Sequence, residues 1–204
     1  MSEKFLAKLE NKHRELIQIG IKEKLIEFKG TKIIYLHQSK SYEFTDPEEP
    51  IRASTYVELV VKYKYPPKRI DFEVYPPRRE PKLPADIVVY KDDAKEEPFI
   101  VVECKATSSK TDVEIARREG LGNANLLLSE WLLLVCGEEE AIYYVKDRPS
   151  LKSLEKFRRA ELPIAYGKPP KYRFKKGGGI FKELRKASLN ELHNKFQRCH
   201  DAIW

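Results

Sequence analysis

Asp86, Glu103 and Lys105 are the residues of this chain whose types and spacing could do chemistry. Two carboxylates held close together repel each other, and a divalent cation relieves that repulsion. Oxygen donors of this kind are what Mg²⁺ selects, and it keeps waters that can serve as a nucleophile. An ammonium beside them can orient such a water and offset negative charge that grows in a transition state. The bland alternative is an ordinary ion pair at a strand end, worth about 0 to 1 kcal/mol when exposed. Burial separates the two readings, because a charge beside a fully apolar run costs free energy unless a partner or a metal compensates.

The sixteen residues between Asp86 and Glu103 indicate how the three groups come together. They parse as a strand Ala85–Lys91, a polar breaker from Asp92 to Pro98, and a strand Phe99–Lys105. Paired as an antiparallel hairpin turning near Ala94 and Lys95, these strands set Asp86 beside the Glu103 to Lys105 region. Period-two alternation then projects Glu103 and Lys105 from one face and Cys104 from the other. Phe99 to Val102 is apolar enough to predict a central strand.

Upstream, Asp46-Pro47-Glu48-Glu49-Pro50-Ile51-Arg52 opens a predicted helix that runs to about Tyr65. Thr45 or Asp46 is its expected N-cap, acids fill the first turn, and both prolines fall where a missing N–H is tolerated. Ile51, Val57, Val60 and Val61 supply the inward stripe, and Lys64-Tyr65-Pro66-Pro67 stops the helix. A short strand near Ile70 to Val74 follows. Beyond Lys105, a helix from Thr111-Asp112 through Asn125 leads to two further strands, Trp131–Cys136 and Ala141–Val145, which close a mixed sheet.

Asp86 with Glu103-Cys104-Lys105 resembles the PD-(D/E)XK nuclease superfamily, with the leading proline, Pro84, displaced by one residue. The order of Pro-Glu-Glu, an Arg-bearing helix, Tyr-x-Tyr-Pro, a short strand, Ala-Asp-Ile-Val-Val-Tyr and Val-Val-Glu-Cys-Lys-Ala is more specific. Over roughly Asp46 to Tyr144 it resembles the N-terminal nuclease domain of type I restriction enzyme cleavage subunits and their fused relatives. The resemblance implies an α/β, restriction-endonuclease-like fold, a mixed central sheet flanked by helices, with helical N- and C-terminal extensions. It implies Mg²⁺-dependent hydrolysis of phosphodiester bonds in double-stranded DNA, with Mn²⁺ as a substitute. Asp86 and Glu103 would hold the metal, the backbone carbonyl of Cys104 would be a further ligand, and Glu58 on the first helix would complete the site. Lys105 would orient or help to deprotonate the attacking water. Glu119 stands about where the family has a Gln, and an acid there would compete for metal or repel a phosphate. That departure, with the chain's apparent truncation, supports a second reading, a non-catalytic DNA-binding or assembly module with a nuclease fold; a DNA repair or junction nuclease is a third.

Composition agrees with a nucleic-acid partner. The net charge of +7 favours polyanions. Basic residues cluster around the site in sequence: Arg52, which could pair with an acid or a phosphate, then Lys110, Arg117 and Arg118. Lys171 and Arg173 lie in a Pro-rich segment whose Tyr172 and Phe174 could stack on unpaired bases; an extended linker is the plainer reading of that stretch. Cys104, Cys136 and Cys199 lack Cys-x-x-Cys spacing, which argues against structural zinc. The four histidines form no nucleophile–base pattern. Neither a signal peptide nor a membrane span is evident, so a cytoplasmic chain with reduced thiols is expected.

These readings divide the chain into an N-terminal extension (1–45), a nuclease core (46–165), a basic Pro/Gly linker (166–187) and the start of a helical region (188–204). Met1 to Gly30 reads as helical, with a short strand at Lys32 to Leu36. The final Phe-x-x-Cys-His-x-x-Ile-Trp stretch resembles the linker helix that joins restriction nucleases to methyltransferase or motor regions. It implies a larger enzyme with such regions or partner subunits; the alternative is a C-terminal helix that docks Trp204 into the core.

Overall fold

The computed structural model describes Leu6, residues 9–77 and residues 79–166. The expected helical region at 188–204 and all but the first residue of the expected linker lie outside the described residues. The N-terminal extension is one helix and a small sheet. Helix α1 spans Asn11–Lys22, followed by antiparallel strands β1 (Ile26–Lys29), β2 (Lys32–Tyr35) and β3 (Lys40–Glu43). The expected helix is therefore cut short. Lys24 takes a positive φ of 54°, and of the two residues read as part of the helical stripe, Leu25 lies in the bend that follows and Ile26 opens the sheet. Ile26 and Phe28 alternate with exposed charges, and Gly30, at φ 66°, lies in the two-residue turn that pairs Lys29 with Lys32. Strand β3 carries only Tyr42 and polar residues, a pattern too weak to stand out.

Helix α2 (Glu49–Val61) is next. It starts later than its composition suggests and ends four residues sooner. Its N-cap is Glu48, with no side-chain cap, instead of Thr45 or Asp46; Asp46 forms a local turn before it, its Oδ1 accepting from the Glu48 N–H at 3.0 Å. Every residue from Glu49 to Leu59 is buried, polar ones included, because α2 lies between the N-terminal extension and the central sheet. Close approach explains part of this. A Cβ on Gly20 of α1 would come within 2.5 Å of Val57 Cγ2 on α2.

The central sheet has six strands, in the order β4-β5-β6-β7-β8-β9: Ile70–Val74, Ala85–Tyr90, Pro98–Lys105, Trp131–Cys136, Glu139–Tyr144 and Arg158–Arg159. All neighbours are antiparallel except β6 and β7. That parallel pair requires a crossover, which helix α3 (Lys110–Leu126) supplies. Ser109 caps α3, its Oγ accepting from the Asp112 N–H at 3.1 Å. Strands β5 to β7 are buried on both faces, as expected for the middle of a covered sheet. Ile87, Val89, Ile100, Val102 and Cys104 pack toward α2 and the extension; Val88, Val101, Leu132 and Leu134 pack toward Ala116, Leu121 and Ala124 of α3. The chain is thus a mixed sheet flanked by helices. No helix among the described residues is long and apolar enough to cross a membrane.

Candidate active site

Register brings the acids together. Ile87 pairs with Val102 in the β5–β6 hairpin, so Asp86 and Glu103 are the next residues along the two strands. The Cys104 N–H donates to Asp86 Oδ2 across the strands at 2.7 Å. Cys104 packs toward α2, and Glu103 points toward α3, its Cβ 3.2 Å from where a Cβ on Gly120 would stand. Glu103 is only 3% exposed, while Asp86 keeps some contact with solvent.

Lys105 closes the group. Its Nζ lies 3.2 Å from Glu103 Oε1, 3.3 Å from Glu119 Oε2 on α3 and 3.6 Å from Glu48 Oε1 beside the start of α2. Burial alone would favour the neutral amine. The Glu103, Glu48, Asp86 and Glu119 carboxylates outweigh it and raise the lysine above its ordinary value, so it holds its proton at neutral pH. The acids shift the same way for the opposite reason. Burial, then the Asp86 charge, push Glu103 well above the usual carboxylate range. Burial raises Asp86 as well, although the Cys104 N–H, Arg52 and Lys105 pull against it. Glu48 is raised by burial too, with Lys105 opposing. One ammonium thus lies among four acidic side chains at the end of a buried strand.

The sequence-predicted residues do not all meet here. Glu58 is on α2 but nearly three turns beyond Glu48; its carboxylate pairs with Lys62 at 2.5 Å and with Lys12 at 3.7 Å, in the groove between α1 and α2. Glu48, and not Glu58, is the acid from this part of the chain that lies near Lys105. Glu58 was expected from the family resemblance alone, and the helix start carries Glu48 instead. Arg52 is buried and serves the fold: it pairs with Glu49, which also accepts from Tyr35, and with Glu73 at 3.1 Å, and it stacks 4.1 Å over the Tyr42 ring. Arg117 is tied to Glu155, which also accepts from the Tyr143 hydroxyl. Lys110 and Arg118 are exposed on α3. Lys171 and Arg173 lie outside the described residues. The Cys104 and Cys136 thiols are buried and unpaired, with Cys104 raised by burial and by the nearby acids.

Sequence reasoning missed Asn123 and took Arg79 only as one of the basic residues flanking the site. Asn123, wholly buried on α3, donates from Nδ2 to Glu103 Oε2 at 3.4 Å and to the Pro84 carbonyl at 3.1 Å. Arg79 donates to Asn123 Oδ1 and, at 3.3 Å, to the Glu119 carbonyl. Neither residue type nor spacing announces this. Asn123 sits in a Gly-rich helical stretch that reads as a weak helix, not as a site.

A mixed sheet with an Asp and a Glu-x-Lys converging at the end of its central hairpin defines a class of protein as well as a geometry. Residues 47–156, just over half of the chain, match the family described as type I restriction enzyme R protein N terminus (HSDR_N), and the chain belongs to that family. This is the family of the nuclease domain of type I restriction enzymes. No curated protein matches the chain. Among the described residues, no group of three or more His, Cys, Asp or Glu side chains is arranged to hold a metal ion.

Proposed function

We propose that the chain carries a Mg²⁺-dependent DNA endonuclease domain of a restriction enzyme, with a restriction-endonuclease-like fold. One observation supports this most: a buried Glu103 beside Asp86, with Lys105 two residues on along the same central strand. Mg²⁺ is commonly bound by only one or two carboxylates, the rest of its shell being water and substrate phosphate oxygens. Two acids both raised by burial, Glu103 further by the charge of Asp86, are a donor set of that kind. Asp86 and Glu103 would hold the ion, with Glu48 at the rim and the Cys104 carbonyl as a further donor. The ion would supply Lewis-acid polarisation of the phosphate and a more acidic bound water.

The protein's own groups do the rest. Lys105, kept protonated by its carboxylate neighbours, donates to the attacking water or a phosphate oxygen and offsets charge on the phosphorane. It is an electrostatic partner and not a base. Glu119, where the family resemblance implies Gln, steers Lys105 through the 3.3 Å contact instead of donating to a phosphate. Family membership supports association with DNA and with other restriction–modification subunits or regions.

A second reading has its own support. With Lys105 engaged by three carboxylates and no three-residue metal cluster among the described residues, the domain could bind DNA without cutting it. Single-turnover cleavage of end-labelled duplex DNA separates the two. Asp86→Asn and Glu103→Gln should each abolish Mg²⁺-dependent cleavage while duplex affinity in chelator is retained. Equal cutting by both variants would remove these acids from the chemistry.

A further inference from the structure

Asn123 does something that a core asparagine need not do. Its amide nitrogen bridges the two chain segments that bear the acids: the Pro84 carbonyl, two residues before Asp86, and the Glu103 carboxylate. A primary amide offers two N–H donors and one acceptor, and all three are in use, the oxygen by Arg79. The helix is shaped to allow it. Gly120 lets α3 approach the sheet, since a Cβ there would meet Leu134 Cδ2 at 2.8 Å and Glu103 Cβ at 3.2 Å. Gly122 leaves room for the Arg79 guanidinium, which would stand 3.3 Å from its Cβ. Wholly buried polar side chains persist only when their partners are supplied, so this set of contacts holds a fixed geometry.

Resting on the proposed function, we infer that Asn123, clamped by Arg79, is a positioning residue that sets the orientation and separation of the Asp86 and Glu103 carboxylates and thereby the affinity of the site for its divalent ion. Hydrogen bonds to ligating carboxylates are worth about 10- to 100-fold in metal affinity. Arg79 reaches Asn123 from the segment between β4 and β5 and also holds the Glu119 carbonyl, so it fixes the amide's flip: oxygen toward the guanidinium, nitrogen toward Glu103.

Mn²⁺ binding to the full chain tests this without any cleavage, with EPR reporting both the free-ion concentration and the zero-field splitting of the bound ion. Asn123→Ala should weaken Mn²⁺ binding about 10- to 100-fold and alter the bound-ion spectrum. Arg79→Gln, at a partly buried position that is less demanding for folding, should shift both in the same direction. Glu58→Gln, remote from the site, should shift neither. Unchanged affinity and spectrum in Asn123→Ala and Arg79→Gln would overturn the inference while leaving the metal site standing. Absence of Mn²⁺ binding in the unaltered chain would overturn the metal reading and the inference with it. A change in stability alone, measured in chelator with metal affinity unmoved, would mark Asn123 as a core residue and overturn the inference too.

Discussion

Two glutamates on or beside one helix illustrate how much a few ångströms decide. Glu48 Oε1 is 3.6 Å from Lys105 Nζ, whereas Glu58 spends its charge on Lys62 and Lys12. Glu48→Gln is therefore expected to lower metal-dependent cleavage about 10- to 100-fold, the usual cost of losing a group that supports metal ligands. Glu58→Gln should leave the rate alone and cost roughly 0.5 kcal/mol, the worth of an i,i+4 helix pair. Cleavage rates and urea unfolding of the two variants check this, and the reverse ranking would restore Glu58 to the site. Asp86, Glu103 and Lys105 were legible because strand alternation fixes which side chains share a face. Asn123 and Arg79 were not, because their roles depend on a helix crossing over the sheet, which no local pattern encodes.

Elements follow the same division between local and distant causes. Strands β4 and β7 match their sequence-expected bounds, and β5 and β6 come within a residue, since continuous apolar runs bounded by turn residues leave little freedom. The extension was misread because α1's apolar residues continue past Lys22 in helical register, and only the two-residue turn at Gly30 reveals β1. What docks α1 is partly polar. The His13 ring meets Ser54 Oγ on α2 at 2.7 Å and the Gly137 carbonyl between β7 and β8 at 3.2 Å. Burial lowers the His13 pKa; Lys12 adds to that, and the Gly137 carbonyl, Glu138 and Glu140 oppose it. The folded protein thus binds fewer protons at His13 than the unfolded chain once pH falls below about 6.5. Stability should accordingly rise with pH through the interval between the lowered folded value and 6.5, at no more than about 1.4 kcal/mol per pH unit from this group. Urea midpoints from pH 5 to 8 should show a shallower acid loss in His13→Gln than in the unaltered protein. Parallel profiles would remove His13 from the docking of α1.

On the scale of the whole molecule, charge is divided unevenly along the chain. Residues 1–166 carry 29 basic and 29 acidic side chains, and residues 167–204 carry ten against three, so the net +7 belongs to the C-terminal stretch. Residues 1–166 carry no net charge to attract a polyanion, and the acid-rich site repels phosphate until a cation neutralises it. Nonspecific duplex affinity should therefore depend on the basic stretch. Replacing Lys171, Arg173, Lys175 and Lys176 with Gln should flatten the slope of log affinity against log salt by up to about 0.9 for each phosphate no longer neutralised. Fluorescence anisotropy in chelator measures it, and an unchanged slope would assign DNA binding to α3 and its exposed Lys110 and Arg118. The central claim, that Asp86, Glu103 and Lys105 form a metal-dependent nuclease site, is met most directly by nicking of supercoiled plasmid in Mg²⁺, Mn²⁺ or chelator. The unaltered chain should convert plasmid to nicked and linear forms only with metal, and Lys105→Ala, which leaves both acids in place, should not. Cutting in chelator, undiminished cutting by Lys105→Ala, or no cutting in either metal with DNA binding intact would contradict it.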